Sequence, residues 1–120
     1  MTKTVAAMTH AIAWIDHHRA EVLPIDAPGA SARHLKSHPH PTGQHGSEVR
    51  TQHEFFASVC AVLDESTSVL VTGSHTATAD FRHYAEKHRP LTAKRIAGYE
   101  VVDHPTENQL AALGKRFFEL

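Results

Sequence analysis

The apolar positions begin with a short run, Ala11-Ile12-Ala13-Trp14-Ile15, rich in strand formers and closed by Asp16-His17-His18. A run of that length predicts a buried strand in the middle of a sheet. Val22, Leu23 and Ile25 resume the pattern over residues 19–26, as in a hairpin partner, and Pro24, which lacks a ladder donor, points to a bulge or a sheet edge. After turn chemistry at Pro28-Gly29, residues 33–38 form a third strand around Leu35. Residues 38–49 contain two Pro and two Gly within a polar stretch and predict an exposed, mobile loop.

From about Arg50 the period changes. Phe55, Phe56, Val59, Cys60, Val62 and Leu63 share one helical face. Val69-Leu70-Val71, followed by Thr72-Gly73, has the continuous apolar character of a strand covered on both faces in a parallel sheet. Ala77, Phe81, Tyr84, Ala85 and His88 fall at helical spacing before Arg89-Pro90 interrupts them, and a short helical or turn segment continues over 91–94. Residues 96–102 predict a half-buried fifth strand. Thr106-Glu107-Asn108-Gln109 matches a capping box, and Leu110, Leu113, Gly114 and Phe117 give the last helix an apolar stripe that should dock on the sheet.

The order β-β-β-α-β-α-β-α is an antiparallel meander feeding two crossovers. Layer rules make it an α/β domain of ribonuclease H-like topology, with a mixed five-stranded sheet and helices on both faces. At 120 residues, 41% apolar and 21% charged, the chain supports one such domain over 10–120, preceded by a loose segment over 1–9. One cysteine, Cys60, permits no internal disulfide and no cysteine-based zinc motif, and on the apolar helix face it reads as an inert core thiol. The lack of a signal-peptide pattern or a long apolar run points to a cytoplasmic protein without membrane insertion.

A formal charge of −1 confines any polyanion contact to a local patch, although twelve His would turn the surface cationic on mild acidification. The most cationic stretch carries Arg33, Lys36, His38, His40, His45 and Arg50, with Glu48 its only acid, and these are the candidate RNA-contacting residues. His38, His40 and His45 could take up Zn or Ni adventitiously, but their spacing is not that of a built site, so no resident metal or cofactor is expected. A two-metal nuclease would use carboxylates such as Asp16, Glu48 or Glu54, and Asp103. The strand over 69–73 supplies none, and Asp16 reads more simply as a turn residue accepting backbone hydrogen bonds. Trp14, Phe55, Phe56, Phe81, Tyr84 and Phe117 read as core aromatics, and His104 as a structural turn residue.

Four segments carry a resemblance: Trp14-Ile15-Asp16-His17-His18-Arg19-Ala20, His53-Glu54-Phe55-Phe56, the strand over 69–73, and Val101-Val102-Asp103-His104-Pro105-Thr106. With them the chain resembles the small bacterial translational machinery proteins, which are related to the middle domain of archaeal and eukaryotic peptide-chain release factors and Pelota. In that release-factor domain a Gly-Gly-Gln tip between the third strand and the first helix promotes hydrolysis of the peptidyl-tRNA ester. The resemblance places Gly43 and Gln44 at the corresponding tip as candidate catalytic residues, with Thr42 where the first glycine would stand. It implies a ribosome- or tRNA-associated protein without full release activity. A weak peptidyl-tRNA ester hydrolase and a protein-interaction module without RNA contact are the alternatives.

Overall fold

The computed structural model describes residues 9–26, 31–38 and 47–120. In chain order the elements are β1 (His10–Ile15), β2 (Arg19–Pro24), β3 (Arg33–Lys36), α1 (Ser47–Leu63), β4 (Ser68–Gly73), α2 (His75–His88), α3 (Pro90–Arg95), β5 (Ile96–Val101) and α4 (Glu107–Phe118). The sheet runs β3-β2-β1-β4-β5, antiparallel on the β2 side of β1 and parallel on the β4 side. The expected mixed five-stranded sheet is therefore present, with β1 at its centre. The interrupted segment after His88 is the one-and-a-half-turn helix α3, opened by Pro90 where a missing N–H costs nothing.

Strand alternation divides the core. One face collects Ala11, Ala13, Ile15, Ala20, Val22, Val69 and Val71, packed against Phe55, Phe56, Val59 and Leu63 of α1 and Phe81 and Tyr84 of α2. The small side chains on β1 and β2 make room for three phenylalanines, two of which, Phe56 and Phe81, meet edge to face at 5.3 Å. The other face joins Ile12, Trp14, Leu23 and Leu70 to Leu110 of α4, with Leu113 and Phe118 packed against them. α4 lies close because Gly114 has no side chain; a Cβ there would come within 2.6 Å of Ile25 Cδ1. Its start is fixed by the expected capping box: Thr106 Oγ1 accepts from Gln109 N–H at 3.1 Å and Gln109 Oε1 accepts from Thr106 N–H at 2.9 Å.

Four expectations are corrected. Pro24 marks no bulge, and β2 is not an edge strand: it lies between β3 and β1 in regular register. Because Ile25 N–H bonds to the His10 carbonyl, alternation turns Pro24 nitrogen toward the β3 side, where pairing has already ended at Val22–Arg33. α1 begins at Ser47, about one turn before the expected start at Arg50, so the last residues of the expected loop are helical. Residue 9 is pinned, not loose, since Thr9 and Thr67 exchange backbone-to-hydroxyl bonds of 3.2 and 3.1 Å. Phe117 is 37% exposed; it lies beside Gly98 on the edge strand β5, and Phe118 takes the inner position. Residues 1–8, 27–30 with the expected turn at Pro28-Gly29, and 39–46 lie outside the described residues.

A polar staple holds the open end of the β1–β2 hairpin. Asp26 accepts from His10 N–H at 2.8 Å and pairs with His10 Nδ1 at 2.6 Å. Burial alone would raise the Asp26 carboxyl, but its bonds to the His10 side chain and backbone outweigh that and hold it below the ordinary range. A lowered native pKa means that the carboxylate stabilises the fold above its unfolded pKa and ceases to do so as pH falls through the native value. Replacing it, Asp26→Asn, should cost roughly 1 kcal/mol near neutrality. The difference from wild type, followed by urea unfolding, should fade below about pH 4.

Candidate nucleic-acid interface

β3 is a four-residue edge strand, Arg-His-Leu-Lys, whose Leu35 packs toward α1 while its charged side chains stay exposed. Short, charged edges discourage pairing with another chain and leave cations displayed. The cations do not form one cluster. Arg33 stands at the strand's beginning and donates through Nη1 to Glu65 Oε1 and Oε2 at 2.9 and 3.0 Å, an exposed pair in which phosphate can replace carboxylate at little cost. Lys36 stands at the other end, directly opposite Arg19 in the β2–β3 register. Two like charges so paired repel one another and gain from a shared anion.

That second end is also where the carboxyl termini of β1, β4 and β5 lie, because β1, β3, β4 and β5 run in the same direction. Ligand-binding residues in open α/β sheets gather at this end of the strands. Here Asp16 organises the turn: its Oδ1 accepts from His18 N–H at 2.7 Å and Arg19 N–H at 2.6 Å, as expected for a turn residue. Ser37 N–H donates to the His18 carbonyl at 2.8 Å, so His18 and Arg19 lie beside Lys36, and exposed His38 follows two residues after Lys36. Arg50 is exposed in the first turn of α1, and the segment 39–46 precedes that helix in sequence. Gly43, Gln44, His40 and His45 fall in that segment, outside the described residues. Arg19 was missed by sequence reasoning, since only the cross-strand register makes it a neighbour of Lys36.

The α1–α2 face carries a second feature, a cleft of about 210 Å3 lined by His53, Phe56, His83, Tyr84, Lys87 and His88 among others. Its rings form a triangle, with His53 to Tyr84 at 5.2 Å, His53 to His88 at 5.5 Å and Tyr84 to His88 at 4.9 Å. His17 Nε2 lies 2.9 Å from Asp80 Oδ2 and ties the β1–β2 turn to the same helix. The spacing His83, Lys87, His88 on α2 is a visible signal for this cleft, but sequence reasoning did not join these residues to His53.

Several residues have purely architectural roles. Trp14 is buried, donates from Nε1 to the Asp103 carbonyl at 3.3 Å and is covered by the His104 ring at 4.2 Å and 19°, so its face is already taken. Cys60 is fully buried, and burial pushes its thiol up to about 11. Among the described residues, Asp16, Glu48, Glu54 and Asp103 form no group of three ligand atoms within 4.8 Å. None of the described helices is long and apolar enough to cross a membrane.

This topology defines the class of the fold: the α/β arrangement of release-factor and Pelota middle domains, with the ribonuclease H-like strand order. Solved structures that share it include two from archaea. Pelota of Archaeoglobus fulgidus superposes with a TM-score of 0.59 at 19% identity, over 90% of this chain and 31% of that one. An archaeal translation termination factor, aRF1, gives 0.56 at 17% identity, over 85% of this chain and 32% of its own length. The chain thus spans about a third of either protein. No family model matches it, and no curated protein matches it in sequence.

Proposed function

We propose that this chain is a ribosome- or tRNA-associated domain of the translation machinery, of release-factor type, that binds RNA without hydrolysing the peptidyl-tRNA ester. What carries the reading is the likeness over 85–90% of the chain to Pelota and to a translation termination factor. The cations around the carboxyl end of the sheet, Arg19, Lys36 and His38, agree with it, as does the place in the chain of Thr42-Gly43-Gln44 between β3 and α1. A threonine instead of the first glycine restricts the backbone that must approach an ester, so the tip serves contact and not chemistry. The protein needs no resident metal for this role and works in the cytoplasm.

Sedimentation with ribosomes and gel shift with tRNA, each at two salt concentrations and two pH values, test it. Affinity should fall with salt, because each phosphate contact releases counterions, and rise on mild acidification as the imidazoles charge. Lys36→Ala should weaken binding and reduce the logarithmic salt slope by about one. Replacing His38, His40 and His45 by Ala should flatten the pH response. Binding indifferent to both variables would overturn the RNA contact and leave a protein-interaction module. Peptide release that Gln44→Ala abolishes would instead make the domain a peptidyl-tRNA esterase.

A further inference from the structure

On the α4 face of the sheet, three side chains far apart in sequence converge. Glu21 on β2 and His34 on β3 are directly opposite one another in the antiparallel register. Glu107 reaches them from the first turn of α4. His34 Nε2 lies 3.0 Å from Glu107 Oε2 and 3.5 Å from Glu21 Oε2, and one ligand atom from each of the three falls within 4.8 Å of the others. We propose that Glu21, His34 and Glu107 form a binding site for a divalent transition metal of the zinc class, with the imidazole Nε2 and one oxygen from each carboxylate as ligands.

The hydrogen bonding leaves this arrangement incomplete. A neutral imidazole presents a single N–H at Nε2, and the 3.0 Å contact to Glu107 uses it. At 3.5 Å the Glu21 oxygen is at the limit of a hydrogen bond, and the half-buried carboxylate has no other partner among the described residues. A second carboxylate is therefore held against the same nitrogen with no proton to share. A cation at the common point resolves both faults, since it accepts the nitrogen lone pair and neutralises two anions at once.

The dimensions fit the cation. Zinc bonds of about 2.0–2.2 Å to nitrogen and carboxylate oxygen in a tetrahedron place neighbouring ligand atoms about 3.3–3.6 Å apart. The two separations from His34 Nε2, 3.0 and 3.5 Å, lie within a few tenths of an ångström of these values, and the two carboxylate oxygens lie within 4.8 Å of one another. A nitrogen donor with two carboxylates suits zinc or a neighbouring transition metal better than calcium or magnesium, which favour all-oxygen shells. Three protein ligands leave a fourth position open to water or to an added donor. Two of the three ligands are anchored in paired strands, which lowers the ordering entropy that a loop of histidines would have to overcome. The site is distinct from the imidazoles at 38, 40 and 45.

The test is titration of the metal-free full chain with Zn(II), by calorimetry and by thermal unfolding. Wild type should bind one equivalent most tightly and unfold at a higher temperature with zinc present, because residues 21, 34 and 107 meet only in the native state. Loss of an outer partner of a metal ligand alone weakens a site roughly 10–100-fold, so Glu107→Gln and Glu21→Gln should each weaken the tightest site by at least about tenfold and abolish the thermal shift. Both changes are isosteric, and Glu107→Gln leaves the Thr106–Gln109 capping bonds in place. The triple Ala variant at 38, 40 and 45 should keep the site. Equal affinity and shift in wild type and Glu107→Gln would overturn the assignment, as would loss of the tightest site in the triple variant.

Discussion

Gly73→Ala should strongly destabilise the fold. Gly73 ends β4 with φ 151°, a conformation that residues with a Cβ rarely adopt, and a methyl group built there would collide with the Ile15 carbonyl oxygen on β1. Strain at such a backbone position costs about 1–3 kcal/mol, and forcing a fixed backbone atom aside costs about 1–3 more. The loss of roughly 2–6 kcal/mol compares with a total stability of about 5–15 kcal/mol for a domain of this kind. Chemical unfolding followed by circular dichroism measures it directly. Gly98→Ala supplies the control: its methyl would approach Phe117 Cζ at 3.0 Å, but that ring is partly exposed at the rim and can swing away. A stability change at residue 73 no larger than at residue 98 would contradict the close packing of β4 against β1.

Truncation of Phe56 should have an effect of similar size by another route. The side chain is 1% exposed and touches the rings of Phe55, Phe81 and Tyr84 at the junction of α1 and α2. Phe→Ala at such a position costs about 3–5 kcal/mol, through lost transfer energy and the cavity left behind. Phe56 also floors the cleft that His53, Tyr84 and His88 line, so Phe56→Ala should shift the imidazole resonances of those histidines in NMR spectra. Phe56→Leu should recover most of the stability. A cost below about 1 kcal/mol would mean that the α1–α2 contact is looser than its ring geometry indicates.

Elements whose signals are local were legible in the sequence. The run at 11–15 is β1, the continuous apolar stretch at 69–73 is β4, and the Thr106–Gln109 spacing forms the capping box it suggests. The first turn of α1 was not legible, because Ser47, Glu48 and Arg50 carry no apolar period and its one apolar residue, Val49, is exposed. Phe117 had the right helical phase, yet it reaches the sheet at its last strand, where little covers it. Nor could the sequence say that Pro24 lies past the end of β3, that Arg19 faces Lys36, or that Glu107 meets Glu21 and His34. Each depends on strand register or helix docking between distant segments, which no local pattern encodes. The candidate tip at Gly43 and Gln44 rests on resemblance and position in the chain.

Cys60 gives the chain a built-in reporter. As the only thiol, fully buried and with its ionisation pushed up to about 11, it resists alkylation as long as α1 stays on the sheet. A thiol reagent reaches it only through opening events, so when reclosing outpaces modification, the labelling rate measures the opening equilibrium of this helix. The same protection lets a second cysteine, introduced at an exposed position such as Ser58, be tagged alone for fluorescence or crosslinking without removing the native one.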